Sequence, residues 1–197
     1  MLRRVLAFSL IFILLWTSIG YAETQGRTWK LSDEEIQEAI KVGKEMKNNS
    51  SLALEWFISN SLESLDSTSL WLFTPFFAIA HDTSIRWKKY QELAKEEIEN
   101  ILKFAESSLM ICVNSYGNKV NFAKDYHCVI KIGDKYIQPT VKSDQEYTTV
   151  DELYSSIYRA QCYYFFPTAD IPRDAVIQVI AIGDKEEVFT VDLSKIR

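Results

Sequence analysis

At Ser108 the apolar residues of this chain change their spacing, from helical to alternating, and a single regular architecture cannot accommodate both halves. Before that point the pattern predicts helices. In L-S-D-E-E-I-Q-E-A-I, Ser32 can cap a helix, Glu35 completes a capping box, and Leu31 can staple against Ile36. Ile36, Ala39, Ile40 and Gly43 share one face, and the polar run K-N-N-S-S at 47–51 ends the helix. Two N-x-S sequons, at Asn48 and Asn49, fall in that break and matter only in a host that glycosylates. Residues 52–58, L-A-L-E-W-F-I, are predicted as a second short helix, and 59–69 as a loop. The most apolar stretch, S-L-W-L-F-T-P-F-F-A-I-A-H-D at 69–82, is too short to cross a membrane and reads as a buried helix opened by Thr74-Pro75. A further helix is expected over Glu92–Phe104.

After Ser108 the strand-length runs are S-L-M-I-C-V-N-S-Y, H-C-V-I-K-I, K-Y-I-Q-P-T-V, D-A-V-I-Q-V-I-A-I and E-V-F-T-V-D-L. The phrases I-K-I-G-D-K at 130–135 and I-A-I-G-D-K at 180–185 place Gly-Asp where a hairpin turn needs residues tolerant of positive φ. Between them a capping box, Thr149 to Glu152, with Val150, Leu153, Tyr154, Ile157 and Tyr158 at helical spacing, predicts a short crossing helix. The expected fold class is α+β, with N-terminal helices packed on a C-terminal antiparallel β-sandwich of immunoglobulin-like size, about 90 residues.

The first 22 residues carry a different signal. Arg3 and Arg4 precede an apolar run from Val5 to Ile19, and Gly20-Tyr21-Ala22 sets small residues at the positions a signal peptidase reads. The expectation is therefore a signal peptide over 1–22, a helical region over 23–107 and a β-sandwich domain over 108–197, exported to a periplasmic or extracellular space. The alternative is an uncleaved segment that anchors the protein in the envelope membrane. Without Arg3 and Arg4 the 22 basic residues fall to 20 against 27 acidic ones, a net charge of −7. That balance, with no dense basic block, argues against nucleic acid as a partner.

The densest aromatic stretch is I-Y-R-A-Q-C-Y-Y-F-F at 157–166. Written as a strand, it turns Ala160, Cys162, Tyr164 and Phe166 to the core and Arg159, Gln161, Tyr163 and Phe165 to the other face. Those four are the candidate ligand-binding residues, either a stacking platform for a carbohydrate or peptide or a face covered by the helices. The same test turns Cys128, Ile130 and Ile132 inward and His127 and Lys131 outward. Cys128 and Cys162 are thus the preferred disulfide among the three cysteines, the third being Cys112; buried free thiols are the alternative.

Catalytic signatures are missing. There is no G-x-S-x-G, H-E-x-x-H or dinucleotide fingerprint, and six glycines leave little for a phosphate loop. The two histidines, His81 and His127, lie in different halves, so no metal site or cofactor is expected. His81 is placed near a helix end, where it would satisfy carbonyls. A cysteine hydrolase would need Cys162 and His81 in one cleft. Three phrases, L-S-D-E-E-I-Q-E-A-I, L-F-T-P-F-F-A-I-A and V-F-T-V-D-L-S-K-I-R, resemble a group of uncharacterised exported bacterial proteins with a helical first half and a β-rich second half. The resemblance implies one exported unit over 23–197 and no particular activity. The functional expectation is a non-enzymatic binding or interaction module of the cell envelope, whose partner is an envelope protein or a glycan.

Overall fold

Ser32 opens the first helix in the way its neighbours dictate. Its Oγ accepts from the Glu35 amide at 3.2 Å, and Glu35 Oε2 accepts from the Ser32 amide at 2.8 Å. The computed structural model describes residues 28–60, 68–117, 119–143, 149–150 and 158–197. Among them are three α-helices: α1 (Asp33–Met46), α2 (Pro75–Lys88) and α3 (Lys95–Ala105). A 3-10 turn, Ser50–Trp56, follows α1. The strands are β1 (Phe57–Ser59), β2 (Ser69–Phe73), β3 (Ser108–Gly117), β4 (His127–Ile132), β5 (Lys135–Ile137), β6 (Val141–Lys142), β7 (Thr149–Val150), β8 (Tyr158–Pro167), β9 (Val176–Ile182) and β10 (Glu186–Asp192). The chain is α+β.

Among the described residues all strand pairings are antiparallel. One sheet runs β1-β2-β3-β8-β6, with β7 also on β8, and the second runs β10-β9-β4-β5. Gly133, at φ +56°, makes the β4–β5 turn that its Gly-Asp phrase predicts. One apolar cluster takes side chains from both sheets: Leu72, Ile111, Tyr164 and Phe166 from the first, Ile130 and Val179 from the second. Each is fully buried, and each large side chain removed from water contributes roughly 1.5–3 kcal/mol. The Tyr164 hydroxyl reaches through this cluster and donates to the Tyr126 carbonyl at 2.9 Å, so its burial leaves no orphaned donor. At one edge Asn60 Nδ2 donates to the Val188 carbonyl at 3.1 Å and ties the sheets together.

A second cluster joins the helices, with Ala39, Trp56, Phe76, Phe77 and Ile79 at its centre and Trp71 and Phe73 of β2 packed against it. The helices therefore share this cluster with the side of β2 that carries Trp71 and Phe73. Arg197 closes this layer. Its main-chain oxygen accepts from Trp56 Nε1 at 2.8 Å and Thr74 Oγ1 at 2.6 Å, while its guanidinium pairs with Glu55 at 2.8 Å and Glu38 at 2.9 Å.

Several expectations are revised. S-L-W-L-F is the strand β2, while the helix behind it opens at Thr74-Pro75 as expected, with Thr74 Oγ1 accepting from the Phe77 amide. Residues 57–58, expected as the end of a short helix, and Ser59, expected to open a loop, form β1. Residues before 108 thus supply two strands of the larger sheet, and the helical half is not purely helical. The buried face of α1 is Ala39, Val42, Gly43 and Met46, with Ile36 and Ile40 only partly buried. Thr149 and Val150, expected to start a helix, pair with Arg159 and Tyr158 as β7; the rest of that predicted helix lies outside the described residues. So does the predicted signal segment, 1–22. Among the described residues no helix is long and apolar enough to cross a membrane.

Candidate functional site

Strand alternation composes the helix-facing side of the larger sheet in cross-strand rows. Phe73, Met110 and Phe165 make the first row, Trp71, Cys112 and Tyr163 the second, Ser69, Asn114 and Gln161 the third, and Tyr116 and Arg159 continue the series. The surface therefore grades from apolar to polar along the strands. α2 and α3 do not close down on it completely: a cavity of about 890 Å³ remains between helices and sheet, within the range of small-molecule sites. Phe77, His81, Ile85, Ile101 and Phe104 form the helical side, while Trp71, Phe73, Cys112, Tyr163, Gln161 and Arg159 form the sheet side. Trp71 stacks on Phe77 with centroids 6.0 Å apart, and Phe73 meets Phe77 at 4.9 Å, so this wall is held by its own aromatic contacts.

The polar end is organised around Asn114, which is buried. Its Oδ1 accepts from Gln161 Nε2 at 2.9 Å and, at the longer distance of 3.4 Å, from Arg159 Nη2. Arg159 has no carboxylate partner among the described residues, and its Nε is buried without any hydrogen-bond acceptor. Orphaned guanidinium donors of this kind are costly, because the desolvation is not repaid.

His81 sits in the middle of α2, not near its end as expected, because the helix continues through D-T-S-I-R-W-K to Lys88. Its ring lies edge-on to Phe73 at 5.5 Å, and Nδ1 is 3.2 Å from Asp82 Oδ1. Cys162, its expected partner in a hydrolase, faces the opposite side of the sheet between Ala160 and Tyr164, so the structure does not bring the two together. Cys112 does share the cavity with His81. Burial pushes the Cys112 thiol up to about 12, leaving it protonated and unreactive at neutral pH.

The expected Cys128–Cys162 disulfide is not formed; all three cysteines are free and buried. Cys128 and Cys162 share one apolar cluster as separate thiols, the buried-thiol alternative. Burial raises both thiols. Cys112 and Cys162 lie on opposite faces of one sheet and cannot pair.

The four candidate binding residues, Arg159, Gln161, Tyr163 and Phe165, all turn towards the helices. Phe165 is packed edge-on by Phe104 of α3 at 5.6 Å, so the four do not make an open stacking platform. Arg159, Gln161 and Tyr163 line the cavity instead. Burial raises the Tyr163 phenol, which is neutral here. His127 is exposed at the start of β4, away from this site. Trp71, Phe73, Phe77 and Asn114 were not singled out from sequence, and the run S-L-W-L-F, apolar on both faces, offers no alternation that would mark the first two. Among the described residues no group of three metal-ligating side chains is present.

No family model, curated protein or solved structure matches the chain.

Proposed function

We propose that this protein is an exported, non-enzymatic binding module of the cell envelope, in which helices cover a two-sheet sandwich and an apolar small molecule occupies the space between. The observation that carries this reading is the aromatic-walled cavity of about 890 Å³, sited where a helical layer meets a sheet. The raised Cys112 thiol and the separation of Cys162 from His81 support binding over nucleophilic catalysis. Export rests on the charged, apolar and small-residue succession of 1–22, and the acidic balance of 23–197 favours a partner other than nucleic acid.

Ala78 faces the cavity without being part of its aromatic wall, so Ala78→Phe fills the space. Binding of apolar ligands, followed by tryptophan fluorescence through Trp71, is expected in the wild type and lost in Ala78→Phe, with the folded state preserved. Equal responses in both proteins would refute the cavity as the site. A native mass spectrum of protein taken from its host envelope reads the rest: a chain starting at Glu23 supports a processed exported protein, whereas one retaining Met1 to Ala22 means an anchored one.

A further inference from the structure

We infer that the ligand of this cavity is an amphipathic carboxylate, a molecule with one carboxyl group and an apolar body, whose carboxylate seats on Arg159. This rests on the reading of the cavity as a binding site and specifies its chemistry.

Three observations lead there. The first is the unpaired guanidinium: Arg159 lines the cavity, its Nε is buried with no acceptor, and Nη2 spends only one long contact on Asn114. A planar guanidinium presents parallel N–H donors along one edge, which a carboxylate accepts in pairs. The second is local charge. In a chain of net charge −5, the described residues around the cavity carry Arg159 and Lys88 against a single carboxylate, Asp82, which is engaged with His81. An anion therefore meets a favourable potential at the Arg159 end. The third is the gradient of the sheet face. From Arg159 and Gln161 the rows pass through Trp71, Cys112 and Tyr163 to Phe73 and Met110, so a molecule anchored by its head at Arg159 lays its body over progressively less polar side chains. A sugar does not fit this arrangement, because its hydroxyls would be buried against Phe73, Phe77 and Ile101 without partners. Gln161 Nε2 and Arg159 Nη2 share one acceptor, Asn114 Oδ1, which fixes the guanidinium at the polar end of the cavity.

Calorimetric titration of the full chain with decanoate and with 1-decanol at pH 7.5 tests this. Charge-assisted hydrogen bonds to a desolvated guanidinium correspond to a preference of roughly 10- to 100-fold for decanoate. Arg159→Met is expected to abolish that preference, and Ala78→Phe to remove binding of both. If the wild type binds the two with equal affinity, the carboxylate assignment is wrong and the cavity reading survives. If neither ligand binds the wild type, or both still bind Ala78→Phe, the cavity reading itself fails. Should Arg159→Met not fold, the comparison of the two ligands on the wild type decides the matter alone.

Discussion

Gly43 is where α1 comes closest to α2, and replacing it by alanine sets two effects of opposite sign against each other. In an isolated helix, Gly→Ala stabilises by about 1 kcal/mol. Here a methyl group at residue 43 would lie 2.3 Å from the Ala80 main-chain oxygen and 2.6 Å from Thr83 Cβ. The nearer atom belongs to the backbone of α2, so no rotamer change relieves the clash and the helices must separate by about 1 Å to restore ordinary contact. Overpacking of this kind costs about 1–3 kcal/mol, and a 1 Å gap also forfeits up to half of the dispersion energy at the neighbouring Ala39, Val42 and Met46 contacts. The net expectation is destabilisation by about 1–3 kcal/mol, which lowers Tm by roughly 3–10 °C in a chain of this size. Urea unfolding followed by tryptophan fluorescence and calorimetry measures it. Adding Thr83→Ala should not restore stability, because Ala80 remains. A Gly43→Ala protein as stable as the wild type, or more stable, would refute the close crossing of α1 and α2.

Thr83 Oγ1 is buried without a hydrogen-bond partner, so the near-isosteric Thr83→Val removes an uncompensated polar atom; a gain of about 1 kcal/mol in urea unfolding is expected, and a loss would mean the hydroxyl has a partner. Burial raises all three thiols, so iodoacetamide at pH 8 should leave the native protein unmodified and label three cysteines after denaturation. Labelling of native Cys112 would show that the cavity admits water and reagent freely. Burial alone would raise the Glu55 carboxyl, but hydrogen bonds from Arg197 outweigh it and hold the group below its ordinary value of 4.5. A depressed folded-state value gives stability that is present above about pH 4.5 and is lost as pH falls through it. Urea midpoints from pH 7 to 3 should therefore fall less steeply in Glu55→Gln than in the wild type, and parallel curves would remove the Arg197 pairing from the acid response.

What could be read from sequence follows from how local each signal is. The Ser32 capping box involves atoms three residues apart and is present as expected. The alternation of 159–166 is visible because β8 packs polar and apolar neighbours on its two faces, and Ala160, Cys162, Tyr164 and Phe166 are buried as the spacing indicates. β2 was misread for the opposite reason. It lies between β1 and β3 with Leu70 and Leu72 in one cluster and Trp71 and Phe73 against the other, so both faces are apolar and the run loses its period. Joined to the proline-capped helix behind it, such a run looks like one long helix. The cavity was illegible because its two sides, α2–α3 and β8, are separated by more than fifty residues of chain and meet only through the sheet register. The side of β8 that carries Arg159 could be read; what would lie over it could not.

The way Arg197 is fastened has a kinetic consequence. Trp56 and Thr74, in the helical layer, donate to the main-chain oxygen of a residue more than 120 positions further on and Glu55 accepts from its guanidinium, and β2 pairs with β3 only after a long stretch of chain has been placed. Contacts between such distant residues require large loops to close before they contribute, which slows the approach to the native state. The helical segment is therefore not a folding unit of its own, and it reaches native packing only once β3 and Arg197 are in hand.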